Sequence, residues 1–529
     1  MNKILYSLIA TFVAIPFVAG GQSVIDTHPA GNPRARLLTV EEIAGAKSSS
    51  VYPSRVRLYW DASGELSKSV RRTSPEDYTL PVSDKEGVVY GQSVSRNEFG
   101  GSRWVIPSPD GSRLAVYRKD ESGVSLYPIY DIRSRTGEAK MIRYPMAGMA
   151  SEKLGICICD KSGNILSELQ VTDYDNERYL TNPTWSPDGK YIFVQVLDRV
   201  QHRMRLNMYR SSDGSFVRTV LSERNNDWIE PLDPLYFIKD SYEFIYRTDN
   251  RDGYRSLYLC DTLGKVKRLT KCNADVAYVA NDGKYVYYTS AEVSPVENHL
   301  FRLKLKDSFG LNRPQRLTPE TGWHQISMSP DCSRFIDRYS SLNVPGVTQV
   351  RDSNGNLLQR VSTSPDPLDI YAQCQVELGT VKSADIYARL FYPRDYDPSK
   401  KYPLIVYVYG GPHSQMVTNS WLGNVRMWEM LMAQKGYFVY VQDNRGTQNR
   451  GAAFEKAINR GCGKAESADQ MAGIKSLLER FPSIDRSRIG VHGWSYGGFM
   501  TLTLTCDNPG FFKVAVAGGP VIDWKWYEV

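Results

Sequence analysis

Histidine is scarce in this sequence: six residues among 529, at positions 28, 202, 299, 324, 413 and 492, and none after His492. That excludes a histidine-rich metal centre and leaves the C-terminal stretch without an imidazole base. Cysteine is sparse too, eight residues at 157, 159, 260, 272, 332, 374, 462 and 506 with no C-x-x-C pair. This spacing excludes both a zinc ligand set and a disulfide-dense small scaffold, leaving isolated buried thiols or one or two incidental bridges. No stretch after residue 21 approaches the roughly 18 apolar residues of a spanning helix, so no membrane span is expected. Charge of one sign is not concentrated either: 65 basic and 58 acidic residues are interleaved along the chain, giving a formal +7. Without a basic stripe, nucleic acid is excluded as a partner. No metal and no cofactor is expected.

What is present is an ordinary globular balance, 41% hydrophobic and 23% charged, at a length that calls for two or three domains. The 34 tyrosines suit sheet surfaces. Residues 1–21 carry Lys3, an apolar run from Ile4 to Ala19 broken by Pro16, then Gly20 and Gly21. That is the layout of a secretory signal peptide, predicting export to the periplasm, cell surface or exterior.

Between residues 150 and 360 one unit recurs: an alternating strand, a polar turn ending in glycine, and a second strand. Its turn glycines are Gly163, Gly214, Gly264, Gly310 and Gly355, spaced 45 to 51 residues apart. Glycine supplies the positive φ that tight hairpins need. A second marker, Ser-Pro-Asp-Gly at 108–111 and 186–189 and Ser-Pro-Asp-Cys at 329–332, precedes further strands. About four strands per period of this length predict a β-propeller over residues 22–365 with about six recognisable blades. A β-sandwich array is the competing architecture. Gly64 and Gly137 head similar turns but break the spacing.

After Ser364-Pro365-Asp366-Pro367 the pattern changes. Continuous apolar runs at 403–411, 437–443, 488–493 and 512–519 alternate with helical spacing at 427–436 and 466–481. Strands buried on both faces read this way, so residues 366–529 are expected to form an α/β domain entered through an extended segment near 366–395. Within it, Gly493-Trp494-Ser495-Tyr496-Gly497 is a G-x-S-x-G match. The pentapeptide is weak alone, but an apolar strand runs into it and a helical sequence runs out, the setting of an α/β-hydrolase nucleophile elbow. Ser495 is then the nucleophile, the Tyr496 amide one oxyanion donor, and the YVYGGPH loop with Tyr409 the source of a second.

The runs KYPLIVYVYGGPH (401–413), DNRG…NRG (443–451), IGVHGWSYGGFM (489–500) and GGPVIDW (518–524), behind YPMAG (144–148) and TWSPDG (184–189), resemble the prolyl oligopeptidase family, dipeptidyl peptidase IV branch. RNEFG (96–100), YPMAG and GGPVIDW…YE are similar to bacterial prolyl tripeptidyl members of that branch. The resemblance spans about residues 88–529 and implies a propeller capping an α/β hydrolase that removes short N-terminal peptides after proline, as a homodimer. It implies Ser495 as nucleophile, and Tyr409 with the Tyr496 amide as oxyanion hole. Glu98 and Glu528 would receive the substrate amine, and Tyr496, Val521, Trp524 and Tyr527 would line a proline pocket.

The sequence also departs from that pattern. An α/β-hydrolase triad runs Ser, Asp, His along the chain, yet only Asp507 and Asp523 follow Ser495, and no histidine does. His492, three residues before the serine, and His413, on the oxyanion loop, are poorly placed as bases. These features predict a chain that ends before its acid and base, holds fewer blades than the family's eight, and does not turn over. A non-catalytic peptide-binding pseudo-peptidase is the alternative. A lipase or carboxylesterase is disfavoured because such enzymes lack the propeller and the Glu98 and Glu528 pair.

Overall fold

The computed structural model describes residues 22–45, 48–69, 77–93, 104–176, 178–306, 313–381 and 386–527. Its first two thirds form a row of antiparallel sheets. One is five-stranded (Val88–Tyr90, Val105–Pro107, Arg113–Asp120, Lys153–Asp160, Ile165–Glu168), and four are four-stranded, spanning Arg178–Arg224, Tyr236–Arg268, Val276–Arg316 and Trp323–Thr363. A two-stranded piece, Tyr59–Trp60 with Leu66–Ser67, makes the sixth.

Both sequence markers fall at fixed places in this unit. The Ser-Pro-Asp turns join the first two strands of two four-stranded sheets and the second and third of the five-stranded one: Ser108, Ser186 and Ser329 each donate from Oγ to the aspartate two residues on, at 2.6, 2.8 and 2.6 Å, and accept from a backbone N–H at about 3 Å. The glycine turns join the last two strands, and Gly163, Gly214, Gly264 and Gly355 all hold positive φ. At Gly214 a Cβ would meet the Glu168 carbonyl at 1.9 Å, so the turn also locks one sheet against the previous one. Gly310 lies outside the described residues. Gly137 breaks the period because it heads a separate hairpin, Leu126–Asp131 with Glu138–Arg143, inserted between two strands of the first full sheet.

Consecutive sheets share apolar cores, as propeller blades do. Ala115, Ile156 and Ile158 pack with Leu180 and Val194. Met208 meets Phe244 and Tyr258, Leu257 meets Val286, and Tyr287 meets Phe335. Leu58 and Trp60 close on Ile336 and Val350 of the last blade.

The α/β unit is a seven-stranded mixed sheet in the order Gln22–His28, Val376–Val381, Ile386–Phe391, Phe438–Gln442, Tyr402–Tyr407, Ile484–Trp494, Val514–Gly518. Two expectations are corrected here. Residues 22–28 do not belong to the propeller; they pair antiparallel with Val376–Val381, because apart from a bulge near Ile25 their backbone continues that ladder. The segment expected to be merely extended near 366–395 contains two antiparallel strands. Helix Lys464–Arg480 buries Met471, Ile474, Leu477 and Leu478 on one stripe against the sheet, each worth about 1.5–3 kcal/mol. Cys157 and Cys159 share one buried face with Leu114 and Val116, and burial raises their thiols to about 12 and about 11. All eight cysteines are free.

Candidate active site

The strand Ile484–Trp494 runs parallel to both neighbours and ends at Ser495, from which helix Tyr496–Asp507 starts at once. A strand-to-helix reversal in one residue needs an unusual backbone: Ser495 sits at φ 57, ψ −118, at a cost of about 1–3 kcal/mol that the surroundings must over-determine. They do so by contact. The Ser495 N–H donates to the Gly518 carbonyl at 2.8 Å. A Cβ on Gly493 would meet the Gly497 carbonyl at 2.2 Å, one on Gly497 the Val408 carbonyl at 2.3 Å, and one on Gly498 the Gly518 carbonyl at 2.5 Å. The glycines let two strands and a helix converge, which pushes the serine side chain outward. Ser495 is exposed, and its hydroxyl makes no hydrogen bond among the described residues. Its Oγ stands at a helix N-terminus, where developing negative charge is favoured.

Tyr409 lies beyond the neighbouring strand, half-buried, its ring 6.2 Å from that of Tyr496. Its hydroxyl likewise has no partner among the described residues. The turn that follows is braced from below: Asn444 Nδ2 donates to the Gly410 carbonyl at 3.1 Å, and Gln470 donates to Asn444 Oδ1 at 3.0 Å. The Tyr496 phenol points away from the serine and donates to Glu466 Oε1 at 2.6 Å. Burial, with Cys462 and Glu466 adding to it, pushes that phenol well above its usual range. What Tyr496 offers Ser495 is therefore its backbone amide and its ring.

That ring belongs to an aromatic cluster. Tyr496 meets Phe499 at 5.3 Å and Trp524 at 5.7 Å, Phe499 meets Trp524 at 5.4 Å, and Trp524 meets Tyr527 at 5.4 Å. Three of the four residues expected to line an apolar pocket are thus brought together, and Val521 is half-buried on the same segment. Sequence reasoning missed Phe499, although its place three residues after Tyr496 on a helix signals a shared face. The propeller reaches this region: the Ala147 N–H donates to the Tyr527 carbonyl at 3.2 Å, and the Tyr144 hydroxyl to the Trp526 carbonyl at 3.3 Å. Glu98 and Glu528 lie outside the described residues.

None of the three histidines of this unit serves Ser495. His28, on the strand that pairs with Val376–Val381, has its two ring nitrogens on Asn343 Oδ1 and Gln373 Oε1 at 2.9 and 2.7 Å. The His492 ring packs against Tyr407 and Trp428 at 5.5 and 5.6 Å, and its Nδ1 donates to the Val516 carbonyl at 2.9 Å. His413 instead closes an ionic cluster between the two units. Its Nδ1 bonds Glu455, its Nε2 lies 3.3 Å from Glu230 of the propeller, and Arg255 of the propeller donates to Glu455 at 2.5 Å. The three potential ligand atoms of Glu230, His413 and Glu455 lie within 4.8 Å of one another. Arg255 already supplies their positive charge, so the cluster reads as an inter-unit ion-pair network. No sequence spacing announced it, since its members are far apart in the chain.

Comparison with known proteins agrees with this geometry. Residues 71–346, about half the chain, match the model of the dipeptidyl peptidase IV N-terminal region, and residues 424–529 match the prolyl oligopeptidase family. Human dipeptidyl peptidase 8 is 26% identical over 80% of this chain and 56% of its own length. Dipeptidyl-aminopeptidase B of Aspergillus niger is 24% identical over 83% and 52%. The chain thus spans about half the length of the curated relatives it matches. Among solved structures, a candidate dipeptidyl aminopeptidase IV of Bacteroides ovatus superposes with a TM-score of 0.79 at 38% identity, over 84% of this chain and 66% of that one. Dipeptidyl peptidase 4 of Porphyromonas gingivalis gives 0.77 at 28% identity, over 84% and 64%. With a propeller, a serine elbow and these matches in one sequence, the chain belongs to the prolyl oligopeptidase family, in its dipeptidyl peptidase IV branch.

Proposed function

We propose that the chain carries the nucleophile, oxyanion donors and apolar pocket of a serine exopeptidase that releases short N-terminal peptides after proline. The observation that carries this reading is Ser495, held outward in a left-handed elbow with its hydroxyl unused, beside the Tyr496 amide, Tyr409 and the Tyr496–Trp524–Tyr527 cluster. Ser495 Oγ attacks the carbonyl of the proline while a base takes its proton, the two donors take up the oxyanion, and the C–N bond breaks to leave a prolyl ester on Ser495 as the amine departs with that proton. Relatives named dipeptidyl peptidases favour dipeptides, whereas Glu98 with Glu528, the resemblance's pair of amine receptors, would favour tripeptides. Export through residues 1–21 and a homodimer complete the proposal. No helix of the described residues is long and apolar enough to cross a membrane.

The histidines His28, His413 and His492 are all engaged elsewhere, so activation of Ser495 is expected to need a base that these three residues do not supply; losing the histidine of a serine-peptidase triad costs on the order of 10⁶ in kcat. The experiment is release of p-nitroaniline from Ala-Pro and Ala-Ala-Pro anilides, with and without added imidazole as a surrogate base. Slow, imidazole-dependent release that disappears in Ser495→Ala supports the reading, and the preferred anilide reports the peptide length. Tight binding of the same peptides with no release under any condition favours the second reading, a peptide-binding pseudo-peptidase, which the committed histidines motivate.

A further inference from the structure

A cavity of about 420 Å³ opens between the last blade, the segment around residues 52–55 and the α/β segment 415–425. Its size falls within the roughly 300–1,000 Å³ of ligand pockets. Two arginines line it, Arg55 and Arg338, and no aspartate or glutamate does. Aromatic rings of Tyr52, Trp323, Tyr339 and Trp421 share the lining. Such a lining is unusual in a chain whose acids and bases are otherwise interleaved, and it contrasts with the inter-unit cluster around His413, which holds two carboxylates.

The donors in this cavity are underused. Arg55 is exposed and has no hydrogen bond or ion pair among the described residues. Arg338 donates to the Leu58 carbonyl but faces no carboxylate, and burial lowers its pKa, which is the cost of holding a cation there unpaired. Trp421, a residue only 6% exposed, lends the lining its ring. Ser340 and Ser420 bring hydroxyls to the same lining. Two cations and hydroxyls among aromatic walls, with no competing acid, are what a carboxylate attached to an amide chain requires.

We propose that this cavity is a subsite for the carboxylate-bearing part of a peptide, either an acidic side chain or a C-terminal carboxylate. The guanidinium groups pair with the carboxylate, and the aromatic walls cover the adjoining chain. Gln415, in the loop that follows Tyr409, also lines the cavity. Binding in the subsite requires no chemistry at Ser495.

The test is calorimetric titration of the full chain with three blocked tripeptides. Acetyl-Ala-Ala-Glu-amide carries an acidic side chain, acetyl-Ala-Ala-Ala a free C-terminus, and acetyl-Ala-Ala-Gln-amide neither. At least one acidic probe is expected to bind about tenfold or more tighter than the neutral one, with affinity falling as salt rises; which one wins identifies the source of the carboxylate. Arg55→Gln is expected to weaken that probe about threefold. Arg338→Gln should weaken it most, but Arg338 also holds the Leu58 carbonyl, so the exposed Arg55 provides the variant that cannot act through misfolding. Equal binding of neutral and acidic probes overturns the proposal. So do an affinity indifferent to both arginines and preferential binding of inorganic phosphate.

Discussion

Arg389 and Glu429 form an ion pair with both side chains fully buried, and replacing Glu429 by Gln tests how much of the site's framework depends on it. The Arg389 guanidinium donates to both Glu429 oxygens, at 2.6 and 3.1 Å, to the Gly423 carbonyl at 3.1 Å and to the Met416 carbonyl. It therefore pins both ends of the 416–423 stretch, which follows the Tyr409 loop and walls the arginine-lined cavity. Glutamine keeps the shape of Glu429 but removes the one carboxylate that contacts the guanidinium, where solvent cannot reach, leaving it only the more remote charge of Asp443. Breaking one side of such a pair costs about 3–5 kcal/mol. At a urea slope of about 2–3 kcal/mol per molar, the α/β transition should fall by about 1–2 M, read by tryptophan fluorescence because Trp421 and Trp428 flank the pair. The double change Arg389→Met with Glu429→Leu removes the orphan charge and should recover part of the loss. It cannot recover all of it, because the Gly423 carbonyl loses the Arg389 donor and the Met416 carbonyl keeps only Asn424 Nδ2 at 3.4 Å. A midpoint shift below about 0.3 M for Glu429→Gln would refute the argument, since under 1 kcal/mol is the range of a solvated pair.

Two further outcomes follow from the geometry. Gly497→Ala places a methyl 2.3 Å from the Val408 carbonyl, so it should cost about 1–3 kcal/mol in denaturant midpoint and displace Ser495; an alanine variant with unaltered midpoint would show that the elbow is not tightly packed. At the His413 cluster, burial opposes the proton, but the Glu455 bond and the Glu230 charge prevail and raise His413 above its ordinary 6.5, while Glu455 is held below its ordinary 4.5. The ion pair therefore stabilises fully between about pH 4.5 and 6.5, and its contribution is lost as pH rises through the raised histidine value. Asp443, raised by burial from 3.8 to about 6, costs stability as pH rises between those values and adds no further change above them, so it does not produce a loss between pH 6.5 and 9. Urea midpoints of the wild type should thus fall more between pH 6.5 and 9 than those of His413→Asn, in which asparagine suits the backbone φ of 61; parallel profiles would remove the latch.

Local signals proved readable and remote ones did not. The blade turns were legible because glycine and Ser-Pro-Asp solve a backbone problem within five residues, and the elbow because a strand, a G-x-S-x-G and a helix are contiguous. The Tyr496, Trp524 and Tyr527 grouping came from the family resemblance. By contrast, nothing local in QSVIDTH (22–28) marks its partner as Val376–Val381. The Glu230, Arg255, His413 and Glu455 network joins four sites whose separate residues look like solvated surface. Asn444 and Gln470, which brace the Tyr409 turn, lie on other elements, so only the fold shows that they act on it.

The pairing of residues 22–28 with 376–381 also sets an order of events for the nascent chain. The row of propeller sheets is interposed between two strands that must lie side by side, so the strand at 22–28 waits longer for its partner than the strands of those sheets do. At roughly 5–20 residues per second, some 350 residues of delay amount to tens of seconds. Throughout that time its ladder groups stay open to any other strand. The α/β unit is thereby a domain whose first strand is held in reserve until the propeller has been synthesised.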